Sequence, residues 1–347
     1  MKKRIYKINK IYLFFILIVL ITTSCRTVSF VNLQVLKPAE ITLPKNVKSF
    51  SVVNNSFLQN QYSIVTKKRK SNIDYKMLNI DTTKVKNLSV NSIVKSLTEM
   101  LNDSPLFTKA VLVNEKQKKE TLNWDYVSSI CKKNETEALI SLEAFIHDDS
   151  VSFDGFYTDY GYVYYTFMNF KVTTVWRIYY PDEKKIIDRD IQISNVPFEA
   201  YAYSFKESIK ELPNEQVISE EIANYTANDF FRRISPAWTD CSRMYFTGST
   251  NMLKAKNFVE NNYWKEATEL WQNDVNNKNK RISGDAAYNM ALAFEMEGDL
   301  DNALVWAKKS YQIYGNKWAL DYIKKLEVRI KEQVKLNKQF AGEDIVR

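Results

Sequence analysis

The sequence predicts an α+β fold in which an N-terminal α/β domain with a mixed sheet precedes a C-terminal run of α-helical hairpins. Three observations carry this reading. Between Val47 and Ile146, segments rich in β-branched and aromatic residues alternate with segments of helical period, which is the order of an α/β layer. A long aromatic segment, Tyr162–Tyr180, is followed by a turn and a second extended segment, as in an antiparallel hairpin added to that layer. Beyond residue 250, two segments repeat one another at a spacing of 36, the mark of stacked helical hairpins.

The elements follow in order. Val47–Val53 reads as a strand. Ile93, Leu97, Met100 and Leu101 fall at helical spacing, and Ser104-Pro105 ends that helix, because proline disfavours helical backbone at the residue before it. Leu106–Val113 is extended, Trp124, Val127, Ile130 and Cys131 mark a second helix, and Ala138–Ile146 a third strand. Tyr162–Tyr180 is rich in Tyr, Phe, Val and Thr, which suit a pleated, half-buried surface. Pro181-Asp182-Glu183 turns the chain and Ile186–Ile193 returns beside it. Ile218, Ile222, Ala223, Ala227, Phe230, Phe231 and Ile234 then trace an amphipathic helix closed by Pro236.

In the tail, Phe258, Asn262, Trp264, Ala267 and Trp271 match Phe294, Gly298, Leu300, Ala303 and Ala307. The pattern resembles the tetratricopeptide repeat, a helix–turn–helix with a period of about 34 residues. Small residues at Ala291, Ala303 and Ala307 allow paired helices to cross closely. Gly298 suits the left-handed position ending a helix, and Asp299 the cap of the next. Trp318, Leu320, Ile323, Leu326 and Ile330 are expected to form a capping helix, with residues 339–347 frayed. The resemblance implies that Tyr288, Leu292, Glu295 and Met296, on the face of a first helix, line a groove for a protein partner.

Composition excludes several function classes. Five of the 49 basic residues, Lys2, Lys3, Arg4, Lys7 and Lys10, lie in a leader without an acidic residue. The remainder nearly balances the 41 acids, which is no footprint for a nucleic acid. The 7 glycines never come close enough for a phosphate-cradling loop. With one histidine, His147, metal centres and His-dependent triads lose most of their ligands and bases. His147-Asp148-Asp149 has no partner motif, and no carboxylate pair stands out. Catalytic residues, metals and cofactors are therefore not expected, and the chain reads as a non-enzyme. The aromatic density of 153–167 leaves two readings open: cross-strand packing, or a surface that stacks on sugars or lines an interface.

Residues 1–25 combine a basic start, an apolar run Ile11–Ile21 and Thr22-Thr23-Ser24-Cys25. The run is too short to span a bilayer, which takes about 20 residues, and fits a signal peptide. Its end resembles a lipobox, which implies cleavage before Cys25 and acylation of that thiol. Arg26 in place of Asp implies, by the same resemblance, the outer membrane, and the missing acidic cluster its periplasmic face. That compartment permits disulfides, so Cys131 and Cys241 are either bridged or buried thiols.

The leader, Leu101–Phe107, Val175–Pro181 and the tail together resemble a family of tetratricopeptide-containing lipoproteins of Bacteroidota. The expected organisation is a signal peptide (1–24), a tether (25–46), the α/β domain (47–242) and the helical domain (243–338). The resemblance implies a lipid-anchored envelope binding or scaffold protein. An alternative is a component of an envelope assembly or secretion complex, since the strand–helix order resembles curli-type secretion lipoproteins and TolB. A glycan-active enzyme is a third, weaker reading. The aromatic junction 236–248 further suggests a tail packed on the α/β domain.

Overall fold

A computed structural model describes residues 27–57, 80–114 and 121–340. The protein is α+β: a mixed sheet with its helices, then a C-terminal helical run. The described residues form two compact units, a sheet unit within 39–236 and a helical unit made from residues 27–38 and 237–340. Among the described residues no helix is long and apolar enough to cross a membrane.

The sheet unit holds five strands in the order β3-β2-β4-β5-β6. These are β2 (Ser49–Phe57), β3 (Lys109–Val113), β4 (Ala138–Thr158), β5 (Gly161–Tyr180) and β6 (Lys185–Ala202). β2 runs parallel to β3 and β4, and β4, β5 and β6 are antiparallel neighbours. Helices α1 (Thr82–Asp103) and α4 (Glu215–Ile234) share a core with one face of the sheet. Trp176 of β5 stacks on Phe230 of α4 at 4.4 Å. Helix α2 (Trp124–Asn134) packs against the other face through Val127 and Ile130, over Val53, Leu139 and Tyr179. Burial on both faces explains the unbroken apolar start of β4. α1 ends at Ser104, before Pro105, as the sequence implies. A short helix α3 (Phe205–Lys210) follows β6.

In the helical unit, β1 (Val28–Lys37) pairs antiparallel with β7 (Ala237–Phe246), from Val28 opposite Phe246 to Lys37 opposite Ala237. Helices α5 (Thr250–Glu260) and α6 (Trp264–Val275) form one hairpin, and α7 (Lys280–Met296) and α8 (Leu300–Tyr314) a second. Both hairpins turn through left-handed backbone, at Asn262 (φ 61°) and Gly298 (φ 80°). Asparagine tolerates that region better than other side chains, so the first hairpin manages without glycine. Asp299 caps α8 by accepting from Asn302 N–H. Ala291, Ala303 and Ala307 are fully buried where the helices meet. α9 (Lys317–Gln339) closes the unit through Ala319, Tyr322 and Leu326.

Two expectations change here. The segment expected as a tether, 25–46, contains β1, and the expected boundary at 242/243 falls inside β7. The physical reason is that each of these strands finds its ladder partner about 200 residues away, so neither carries a local hairpin signal. The apolar junction residues Tyr245 and Phe246 are buried inside the helical unit's own core; their apolarity needs no second domain to account for it. The expected signal peptide 1–24 and residues 341–347 lie outside the described residues.

Candidate functional site

Strands β4, β5 and β6 are 21, 20 and 18 residues long, where about 5–6 is usual. The helix-packed core takes in β5 from Met168 onward and, on β4, residues 138–145 with Val151 at its margin. α3 adds a last contact, Phe205 against Phe153 at 4.4 Å. The strand ends beyond carry rings on both faces. One face holds Tyr157 opposite Tyr162 and Gly155 opposite Tyr164. The Tyr162 ring lies so close over Gly155 that a Cβ there would meet it at 2.5 Å. The other face brings together Phe156, Tyr165 and Tyr201, at 5.9 to 6.5 Å between centroids.

This end is exposed and carries negative charge. Tyr157 and Tyr160 keep 83% and 88% of their surface, and Phe156, Tyr162, Tyr164, Tyr201 and Tyr203 are exposed as well. Residues 151–170 contain Asp154 and Asp159 and no lysine or arginine. Both aspartates and the neighbouring Glu199 are exposed. The arrangement therefore offers apolar ring faces and hydroxyl groups, the chemistry of stacking and docking, and no buried acid pair. Tyr201 and Tyr203 were not singled out by sequence reasoning. The signal was the run Phe198, Tyr201, Tyr203 and Phe205, which extends the aromatic density onto β6.

The residues expected to line a repeat groove lie elsewhere. Leu292 is fully buried, Tyr288 and Glu295 are nearly so, and Met296 packs against the same core. The face they share is covered by β7 and α9: Tyr288 meets Phe246 at 5.1 Å and Tyr322 at 4.9 Å. Arg243 of β7 grips Glu295 with two hydrogen bonds of 2.9 Å. Tyr322 donates to the same carboxylate at 2.5 Å, and Arg329 of α9 also pairs with it. Burial pushes the Glu295 carboxyl up, but the bonds and charge of Arg243, with Tyr322 and Arg329, outweigh it and hold the group below the usual carboxylate value. These four residues are correctly placed on the α7 face that the repeat pattern named, and that face is core rather than groove.

Cys131 and Cys241 are both free thiols; burial pushes Cys131 up to about 11, so it is an inert, protonated group at neutral pH. His147 lies between Phe145 and Phe170, with ring centroids at 6.1 and 6.0 Å. Burial lowers its pKa, against the opposing charges of Asp149 and Asp148. Cys25 lies outside the described residues.

Residues 47–246 match the family defined by the domain of unknown function DUF8603, and the chain belongs to that family. Residues 253–328 match a second domain of unknown function, DUF6340. No curated protein matches the chain. Among solved structures, the PelC dodecamer from Paraburkholderia phytofirmans is 8% identical, with 60% of this chain and 100% of that chain covered and a TM-score of 0.21. A likeness that low carries no structural argument.

Proposed function

We propose that this member of the DUF8603 family is a lipid-anchored, non-enzymatic docking protein of the bacterial cell envelope, held by Cys25 and binding its partner through the aromatic end of β4, β5 and β6. The observation that carries the docking role is the set of exposed rings on both faces of these strands. Large exposed apolar groups gathered in one place mark interaction sites, and tyrosine is favoured there for its rigid, amphipathic ring. The anchor rests on the leader that ends in Thr22-Thr23-Ser24-Cys25. Tetratricopeptide-like hairpins then act as a brace around buried Glu295, and the partner site moves to the sheet. The same surface favours the second reading, a component of an envelope assembly or secretion complex, because a two-sided aromatic projection suits insertion into a multi-chain contact.

A photo-crosslinking residue placed at Tyr160, in the cell of origin, is expected to give discrete adducts in the membrane fraction, while the same probe at exposed Val305 on α8 gives none. Absence of any Tyr160 adduct would overturn the docking role. Labelled palmitate is expected to enter the protein and to be lost in Cys25→Ala, with a larger precursor left behind. A mature chain without lipid would remove the anchor and leave the docking surface untouched.

A further inference from the structure

We propose that the partner of the aromatic strand end is a second copy of this chain, engaged head to tail through the outward face of helix α9; this rests on the docking role proposed above. The observation behind it is a second surface whose charge and apolarity complement the first. Lys317, Lys324, Lys331 and Lys338 recur every seven residues along α9, which sets them on one side of the helix with a drift of only about 20° per step. All four are exposed, and among the described residues none of them is ion-paired. Leu320, Val328 and Val334 are exposed between the lysines, so this side is apolar as well as basic. Asp321 and Glu327 flank it as exposed acids. The opposite side of the helix, with Ala319, Tyr322 and Leu326, is spent on the core.

The strand end presents the reverse character: rings, exposed Asp154, Asp159 and Glu199, no basic residue over 151–170, and a single lysine, Lys206, beside Phe205. Asp159 sits in the turn between β4 and β5, so it would be the first group to enter a bilayer, at a cost that disfavours a lipid partner. Rings on both faces are more than a flat sugar platform uses. A lysine-lined helix with exposed valine and leucine answers both features, since lysine stems cover ring faces while their ammonium groups reach the carboxylates. The dimensions agree. The lysine row spans about 32 Å at about 1.5 Å per residue. The seven exposed rings, 36–88% exposed, hold on the order of 600–1,000 Å² between them if a whole ring buries about 150–250 Å², comparable to the roughly 800 Å² per partner of a standard interface. Because the two surfaces differ, the contact is heterologous, and each copy keeps one free surface of each kind for the next.

Sedimentation of the full chain in detergent tests this with two variants of exposed residues, a strand-end variant Tyr157→Ser/Tyr160→Ser and a helix variant Lys324→Glu/Lys331→Glu. The wild type is expected to self-associate with rising concentration and to dissociate in high salt. Each variant alone is expected to lose association by at least about tenfold. Their mixture is expected to stop at a one-to-one dimer, since one intact strand end and one intact helix face remain between them. Circular dichroism matching the wild type shows that both variants fold. A wild type that stays monomeric overturns the proposal, as do variants that associate like the wild type or a mixture that stays monomeric. A monomeric chain whose Tyr160 still crosslinks to a different protein keeps the docking role and overturns the second copy. A monomer whose α9 lysines bind phosphatidylglycerol vesicles assigns that face to lipid and overturns it too.

Discussion

Each unit buries one glutamate beside an arginine, and the two pairs behave in opposite ways. In the helical unit Glu295 has a side chain of 0% exposure and accepts from Arg243, Tyr322 and Arg329. In the sheet unit Glu143 is 5% exposed, with Arg177 at 2.9 Å. It is the unpaired residue of a β-bulge between Leu142 and Ala144, which turns its side chain toward Tyr179, whose hydroxyl donates to it at 2.8 Å. Arg177 is not aligned to hydrogen-bond the nearer oxygen, Oε2. Burial therefore dominates, and Glu143 is held above the usual carboxylate value, against the hydrogen bond of Tyr179 and the charge of Arg177. Proximity of opposite charges does not decide the ionisation of a buried group. In these two pairs the number of aligned donors makes the difference, because bonds to the charged form add to nearby charge in offsetting desolvation.

The largest expected effect separates the pairs directly. Glu295→Ala strands two arginines in the core and is expected to cost about 3–5 kcal/mol. Hydrogen exchange on the full chain should then quicken in β7, α7 and α9 and leave the sheet strands protected. Unchanged protection in those three elements would show that Glu295 is not the brace. A comparable loss, about 3–5 kcal/mol, is expected from Trp176→Ala, which removes the stack on Phe230, but confined to α4 and the strands beneath it. Glu143→Gln should cost less, about 1 kcal/mol, since burial holds the native carboxyl above the usual carboxylate value and the amide oxygen can still accept from Tyr179. If Glu143→Gln proved as damaging as Glu295→Ala, the contrast would fail.

Acid sharpens the same contrast. Glu295 has a lowered value in the fold, so its contribution is present above the unfolded value and is lost as pH falls through the folded one. Glu143 has a raised value, so its favourable contribution is present below the unfolded value and is lost as pH rises through the folded one. On acidification below the ordinary glutamate range, α7 and α9 are expected to lose protection that depends on Glu295. Glu143 pushes the sheet unit the other way, and Glu143→Gln should flatten that opposing trend. The smallest effect belongs to the surface: Tyr157→Ala, at a ring 83% exposed, is expected within about 0.5 kcal/mol of wild type while abolishing the adduct of the probe at position 160. Gly155→Val should displace the Tyr162 ring and weaken docking with little change in melting temperature.

Much of the fold was legible before any coordinates. Ser104-Pro105 ended α1, Asp299 capped α8, and Ala291, Ala303 and Ala307 sat at helix crossings, because propensity, capping and close packing act within a few residues. The candidate site was half legible. The aromatic density of 153–167 was visible in the sequence, but its two-sided exposure depends on how far α1, α3 and α4 reach along the strands. The groove assignment shows the limit most clearly. Periodicity placed Tyr288, Leu292, Glu295 and Met296 together on α7, and no local pattern shows that β7 and α9 cover that face.

β1, β7 and α3 excepted, what the sequence alone determined is therefore the type and order of the elements, since these follow from local backbone preference and the period of apolar residues. The tertiary structure decided which faces are left exposed. It did so by joining β1 to β7 across about 200 residues and by spending the α7 face on Glu295, Arg243 and Arg329. Burial is a property of the whole assembly of elements, and no segment records which other segment will cover it.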